Sequence, residues 1–139
     1  MRPLGDRAAL LLAALWWGGL TALSFVAVPL AFAHFGSPSL AGPYAAKLFQ
    51  LQCWLSLLSS LLLMFWLRAQ QDRALLQRLL PWLLLAALAA LLQEFGIAQR
   101  ILGARAAGES VALWHRIGTM LVLLQWGCAL RLFTRLSWR

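Results

Sequence analysis

Four long apolar runs, separated by short clusters of Gly, Pro, Ser and charged residues, divide the chain into rough quarters. They cover about residues 8–33, 44–67, 79–101 and 111–133, and each reaches the roughly 20 residues that a helix needs to cross a bilayer. The pattern predicts an all-α membrane protein, a four-transmembrane-helix bundle forming one integral membrane domain over residues 1–139. Gly36, Ser37, Pro38, Gly42 and Pro43 punctuate the first loop. The stretch from Arg68 to Arg78 reads as a polar, partly helical connection, and Gly103, Arg105, Gly108 and Glu109 mark the third loop.

Polar positions inside the runs recur at helical spacing. The second span lines up Gln52, Ser56, Ser59, Ser60 and Leu63, and the fourth lines up His115, Gly118, Thr119, Val122, Gln125 and Trp126. In the third, Ala86, Ala90, Glu94 and Ala98 follow one another every four residues. Small residues in membrane helices favour the protein-facing side, where backbones approach closely, so Glu94 is expected to point into the bundle. The first span offers Gly18, Ala22 and Phe25 as its packing face by the same argument. Cys53 and Cys128 fall at depths about 13 Å apart, beyond disulfide reach, and are expected to be free.

Composition strengthens this reading. With 63% hydrophobic residues and a mean hydropathy of +0.78, the chain is far more apolar than a soluble domain. The net charge of +8 comes from twelve Lys and Arg gathered at span ends, the usual flanks of membrane helices, and no nucleic-acid partner is expected. Arg2, Arg7, Arg68, Arg73, Arg78, Arg131, Arg135 and Arg139 fall on one side, and Lys47, Arg100, Arg105 and Arg116 on the other. The positive-inside bias then places both termini in the cytoplasm of a bacterial inner (cytoplasmic) membrane, multi-pass, with the lipid bilayer as the surrounding partner.

That topology gives the intramembrane polar groups a common depth. Glu94, Gln93, Gln50, Gln52, Lys47, His115 and Arg116 all fall in the outward half, and together they form the candidate ligand site or polar network. A carboxylate inside a span costs roughly 2–3 kcal/mol on insertion scales and normally faces protein or a wet cavity. Arg116 or Lys47 could hold it as an ion pair, His115 could donate to it, shuttle a proton or bind a metal, and Gln50 or Gln52 could complete its hydrogen bonds; a proton-exchanging carboxyl is the alternative. No catalytic constellation is present, so a non-enzymatic role in small-ligand binding or transport is expected, with self-association needed for any conduction path.

Two other readings stay open. A haem- or metal-binding protein would use His115 with Glu94 or His34, although no close-spaced ligand motif is present and the only methionines are Met1, Met64 and Met120. An accessory subunit packed against a larger membrane-protein partner would need no pocket chemistry.

The blocks LWWGGLTALSFVAVPLAFAHF (Leu15 to Phe35), AGPYAAKLFQLQCW (Ala41 to Trp54), QEFGIAQRI (Gln93 to Ile101) and LWHRIGTMLVLLQW (Leu113 to Trp126) resemble the transmembrane protein 205-like family of small four-helix membrane proteins. The resemblance implies an inner-membrane bundle of unknown function and carries over Pro29, Gly42, Lys47, Phe49, Glu94 and His115 with no assigned roles. A distant similarity to copper resistance protein D extends to the fold alone, because the paired histidines and methionine clusters of that pattern are missing here.

Overall fold

The computed structural model describes residues 3–138; Met1, Arg2 and Arg139, and with them two charges of the orientation count, lie outside the described residues. Four helices make up the described residues: α1 (Leu4–Phe35), α2 (Pro38–Ala69), α3 (Arg73–Ala106) and α4 (Ala112–Ser137), all long and apolar enough to span a membrane. At 1.5 Å per residue, the first three reach roughly 50 Å, well beyond a hydrocarbon core of about 30 Å.

The helices therefore run further than the hydropathy pattern predicts, and the loops shrink. Gly36 and Ser37 alone separate α1 from α2, and Gly36 takes φ +63°, the left-handed turn that favours glycine. Pro38, at the first helical position, starts α2, and Gly42 and Pro43 lie inside it. The stretch from Arg68 to Arg78 contributes to two helices joined at residues 70–72, where the Asp72 carboxylate accepts a hydrogen bond from the Leu75 N–H at 3.0 Å and caps α3. Gly103 and Arg105 belong to the last turns of α3 rather than to a loop. Polar residues at the ends of membrane helices meet headgroups and water, so the end of hydrophobicity is not the end of the helix.

The helices run up and down, each packing on its neighbours in sequence, with α4 closing back on α1. One end, the terminal half, carries the start of α1 and the close of α4; the other is the distal half. The terminal half is a packed apolar core in which Trp16, Leu20, Leu63, Leu83, Cys128 and Leu132 are essentially inaccessible. The α2 stripe of Gln52, Ser56, Ser59, Ser60 and Leu63 is buried throughout.

On α1 the expected packing face is wrong. Gly18, Ala22 and Phe25 are exposed, and the buried stripe is Ala9, Ala13, Trp16 and Leu20. The indole explains the choice: Trp16 Nε1 donates to Ser56 Oγ at 3.1 Å, and burying that large ring with its N–H satisfied outweighs the close approach that small residues allow. Trp126 Nε1 donates to Thr21 Oγ1 at 2.9 Å, and Trp17 stacks on Phe133 with ring centroids 5.7 Å apart.

Candidate functional site

The regular helices α1 and α3 are each broken by one π-helical segment, Leu23–Ala27 and Leu92–Ile97. Such a segment replaces i→i+4 hydrogen bonds with i→i+5 bonds, widening the turn, and often marks a functional position. In α3 the widening lets two successive side chains reach different neighbours. Gln93 is buried and turns to α4, its Oε1 accepting from Gln125 Nε2 at 2.6 Å. Glu94 is half-buried and turns to α2, its Oε1 accepting from Gln50 Nε2 at 3.1 Å. In α1 the corresponding segment holds Ser24, whose hydroxyl donates to Gln52 Oε1 at 3.0 Å.

Above this polar layer the distal half opens into a cleft of about 570 Å³. That volume lies within the range of small-molecule sites, as does its make-up of mainly apolar walls with a few polar groups. Val28 and Phe32 of α1, Ile97 and Ile101 of α3 and Val122 of α4 supply apolar wall. Of the residues expected at the site, Glu94, Gln50, Gln93, Lys47 and His115 all line the cleft.

Three expected members do not line it. Gln52 is fully buried behind the cleft with Ser24, Arg116 is exposed elsewhere on α4, and His34 is exposed with its ring edge-on to Phe35 at 5.2 Å. The hydrogen-bond partner of Glu94 is Gln50, one of the two glutamines expected to complete its bonding, and neither the candidate ion-pair partners Lys47 and Arg116 nor the candidate donor His115 bonds to it. The second carboxylate oxygen of Glu94 makes no hydrogen bond among the described residues.

One charged lining residue escaped the sequence reading. Arg105 reaches back over the cleft mouth so closely that a Cβ on Gly42 would lie 3.0 Å from both Nη1 and Nη2 of its guanidinium. A third loop beginning near Gly103 hid it. The signal lay in the spacing: Glu94, Ala98, Ile101 and Arg105 follow at four, three and four residues, one helix face if α3 continues.

For a metal or haem, the cleft offers Glu94 and His115 without His34, and no three His, Cys, Asp or Glu side chains gather among the described residues. Cys53 and Cys128 are buried free thiols, the former donating to the Ala90 carbonyl at 3.4 Å. Two buried glutamine atoms in the polar layer, Gln52 Nε2 and Gln125 Oε1, have no hydrogen-bond partner among the described residues.

Fold and site together define a small multi-pass membrane protein, an all-helical bundle whose distal end carries an apolar cleft over a layer of amide and carboxylate groups. Residues 11–110 match the family model described as a domain of unknown function, DUF4149, and the chain belongs to that family. The matched residues include Lys47, Gln50, Gln93, Glu94 and Arg105; His115 lies beyond them. Comparison with curated proteins and with solved structures finds no match.

Proposed function

We propose that the distal cleft binds a small amphiphilic molecule, its polar head on Glu94 and its apolar body along the α1, α3 and α4 walls, as a binding step or as part of transport. The observation that carries this reading is the geometry of Glu94. Gln50 holds one carboxylate oxygen while the other is left as an acceptor beside an apolar cavity. A head group with a hydrogen-bond donor fits that oxygen, and Lys47, three residues from Gln50 on α2 and lining the same cleft, would take its acceptors. Supporting orientation, the described Arg and Lys residues divide with Arg7, Arg68, Arg73, Arg78, Arg131 and Arg135 at the terminal end and Lys47, Arg100, Arg105 and Arg116 at the distal end. By the positive-inside rule the cleft then faces out of a bacterial inner membrane, both termini are cytoplasmic, and residues 1–139 act as one membrane domain. The resemblance to transmembrane protein 205-like proteins accords with this reading.

The test uses protein in nanodiscs and a panel of short-chain amphiphiles with amine, hydroxyl, amide or carboxylate heads, read by thermal shift. At least one donor-headed compound is expected to stabilise the wild type and to lose most of that effect in Glu94→Leu and in Gly118→Trp, which fills the cleft from α4. Equal shifts in all three proteins would place binding elsewhere and sink the proposal. Transport further requires a path longer than one such bundle provides, so a homo-oligomer is expected; a strict monomer by mass measurement in nanodiscs would reduce the proposal to binding alone.

A further inference from the structure

A second concavity, of about 520 Å³, lies at the opposite end of the molecule, between the first turns of α3 and the last turns of α4. Its character is different. Arg78 of α3 and Arg131 and Arg135 of α4 all line it, and the one carboxylate among its lining residues, Asp72, is engaged in capping α3. Arg131 and Arg135 are one helical turn apart and share a face of α4, while Leu75 and Leu79 of α3 give the groove an apolar floor. Arg131 is fixed across the helix pair by the Trp82 ring, with its guanidinium carbon 5.8 Å from the centroid. Trp138, 88% exposed, stands at the rim in the manner of an interfacial anchor.

We propose that this groove binds the phosphodiester of an anionic phospholipid. Guanidinium groups present forked donors that match phosphate oxygens, and three of them around one concavity suit a phosphate better than any neutral head. The excess of positive charge also selects among lipids: an ethanolamine ammonium would meet the same arginines that attract its phosphate, whereas a glycerol head brings no cation. A lipid rather than a soluble phosphate is the occupant because the groove continues as an apolar seam. Arg78, Trp82 and Leu85 follow at helical spacing on α3, and Arg131, Gly127 and Leu124 do so on α4. Leu85 and Leu124 are both more than a third exposed, and a Cβ at Gly127 would meet nothing within 4 Å, leaving room for an acyl chain beneath the head group. Basic pockets between membrane helices on the positively flanked side are a recognised form of lipid headgroup site.

The test compares two triple variants that remove equal charge from the same end. One changes the groove, Arg78→Gln, Arg131→Gln and Arg135→Gln; the other, Arg7→Gln, Arg68→Gln and Arg73→Gln, leaves the groove-lining residues intact. Full-length protein is reconstituted with phosphatidylglycerol and phosphatidylethanolamine in equal parts, released into detergent, and read by native mass spectrometry for retained lipid. The wild type and the second variant are expected to retain phosphatidylglycerol, and the groove variant to retain about tenfold less or lower still, given three lost phosphate contacts. Gly127→Leu, with every arginine in place, provides an independent variant and is expected to lower retention several-fold by filling the seam. Equal loss in both triple variants would reduce the effect to general charge and overturn the proposal, as would equal retention of phosphatidylethanolamine. Displacement of the lipid by millimolar glycerol phosphate would also overturn it, identifying the site as one for a soluble phosphate.

Discussion

Trp16, Leu20, Leu83 and Leu132 pack the terminal half with almost no access to their surroundings, while in the distal half Glu94, Gln50, His115 and Lys47 border a cavity of about 570 Å³. The same four helices build both ends, so the difference lies in what each sequence segment places between them. Large apolar side chains alternate with alanine at the terminal end, with Ala13, Ala86 and Ala129 inaccessible beside the leucines. At the distal end the inward positions fall to Gly42, Ala45, Gly118 and the amides, and the two π-helical segments widen α1 and α3 just where the filling stops. One half holds the bundle together, and the other is left open by the same chain.

The strongest way to break this contrast is to move large-to-small substitutions between the halves. Trp16→Ala removes a fully buried indole and its hydrogen bond to Ser56, and is expected to cost about 3–5 kcal/mol. Phe32→Ala, on a half-exposed cleft wall, is expected to cost about 0.5 kcal/mol. Steric-trapping or detergent-unfolding measurements on both variants decide it. Equal costs would mean that the distal half is as tightly packed as the terminal one.

The next effect lies at the border between the halves. Gln125→Leu deprives Gln93 of its donor and is expected to cost about 1 kcal/mol, the usual scale of an interhelical hydrogen bond in a membrane. The double variant Gln93→Leu and Gln125→Leu removes both polar partners and is expected to cost less than the two single changes added, because no buried amide is then left unmatched. Strict additivity in that cycle would show that the pair does not interact.

A smaller contrast separates the two tight turns. Gly36 at the distal end and Gln71 at the terminal end share the left-handed backbone, at φ +63° and +54°, yet only one of them is glycine. Gln71→Gly is expected to stabilise by about 0.5 kcal/mol, the relief of a Cβ clash less the added freedom of the unfolded chain. Gly36→Ala should destabilise by about 1 kcal/mol under the same assay.

Much of this was legible beforehand because membrane helices advertise themselves by length and hydropathy. The four spans and the buried stripe of α2 follow from 3.6-residue spacing and hold, whereas on α4 Val122 and Gln125 are buried but His115 and Thr119 are exposed at the cleft. Three features resisted the same logic. Regular spacing through Ala86, Ala90, Glu94 and Ala98 assumes an unbroken α-helix and so misses the π-helical segment that also turns Gln93 inward. Small residues on α1 suggested a packing face that Trp16 overrides. Near the end of α3 hydrophobicity falls and Gly103 lowers helix propensity before the helix stops, which is why Arg105 looked like a loop residue and lies instead over Gly42 at the cleft.

The smallest expected change in stability concerns the residue with the largest proposed functional effect. Glu94→Gln keeps an acceptor oxygen in the place where Gln50 donates and changes little in volume, so stability should move by less than about 0.5 kcal/mol. Glu94→Leu removes the acceptor and leaves the half-buried Gln50 amide without it, for an expected cost of about 1 kcal/mol. The pair separates two roles for the carboxylate. If it serves only to satisfy Gln50, the glutamine variant behaves as wild type in every assay. If its charge receives a ligand head, the glutamine variant keeps its stability and loses the thermal shift produced by amine-headed amphiphiles. A large loss of stability in Glu94→Gln would instead make the charge part of the bundle's own packing, and the division between a structural half and an open half would fail at its central residue.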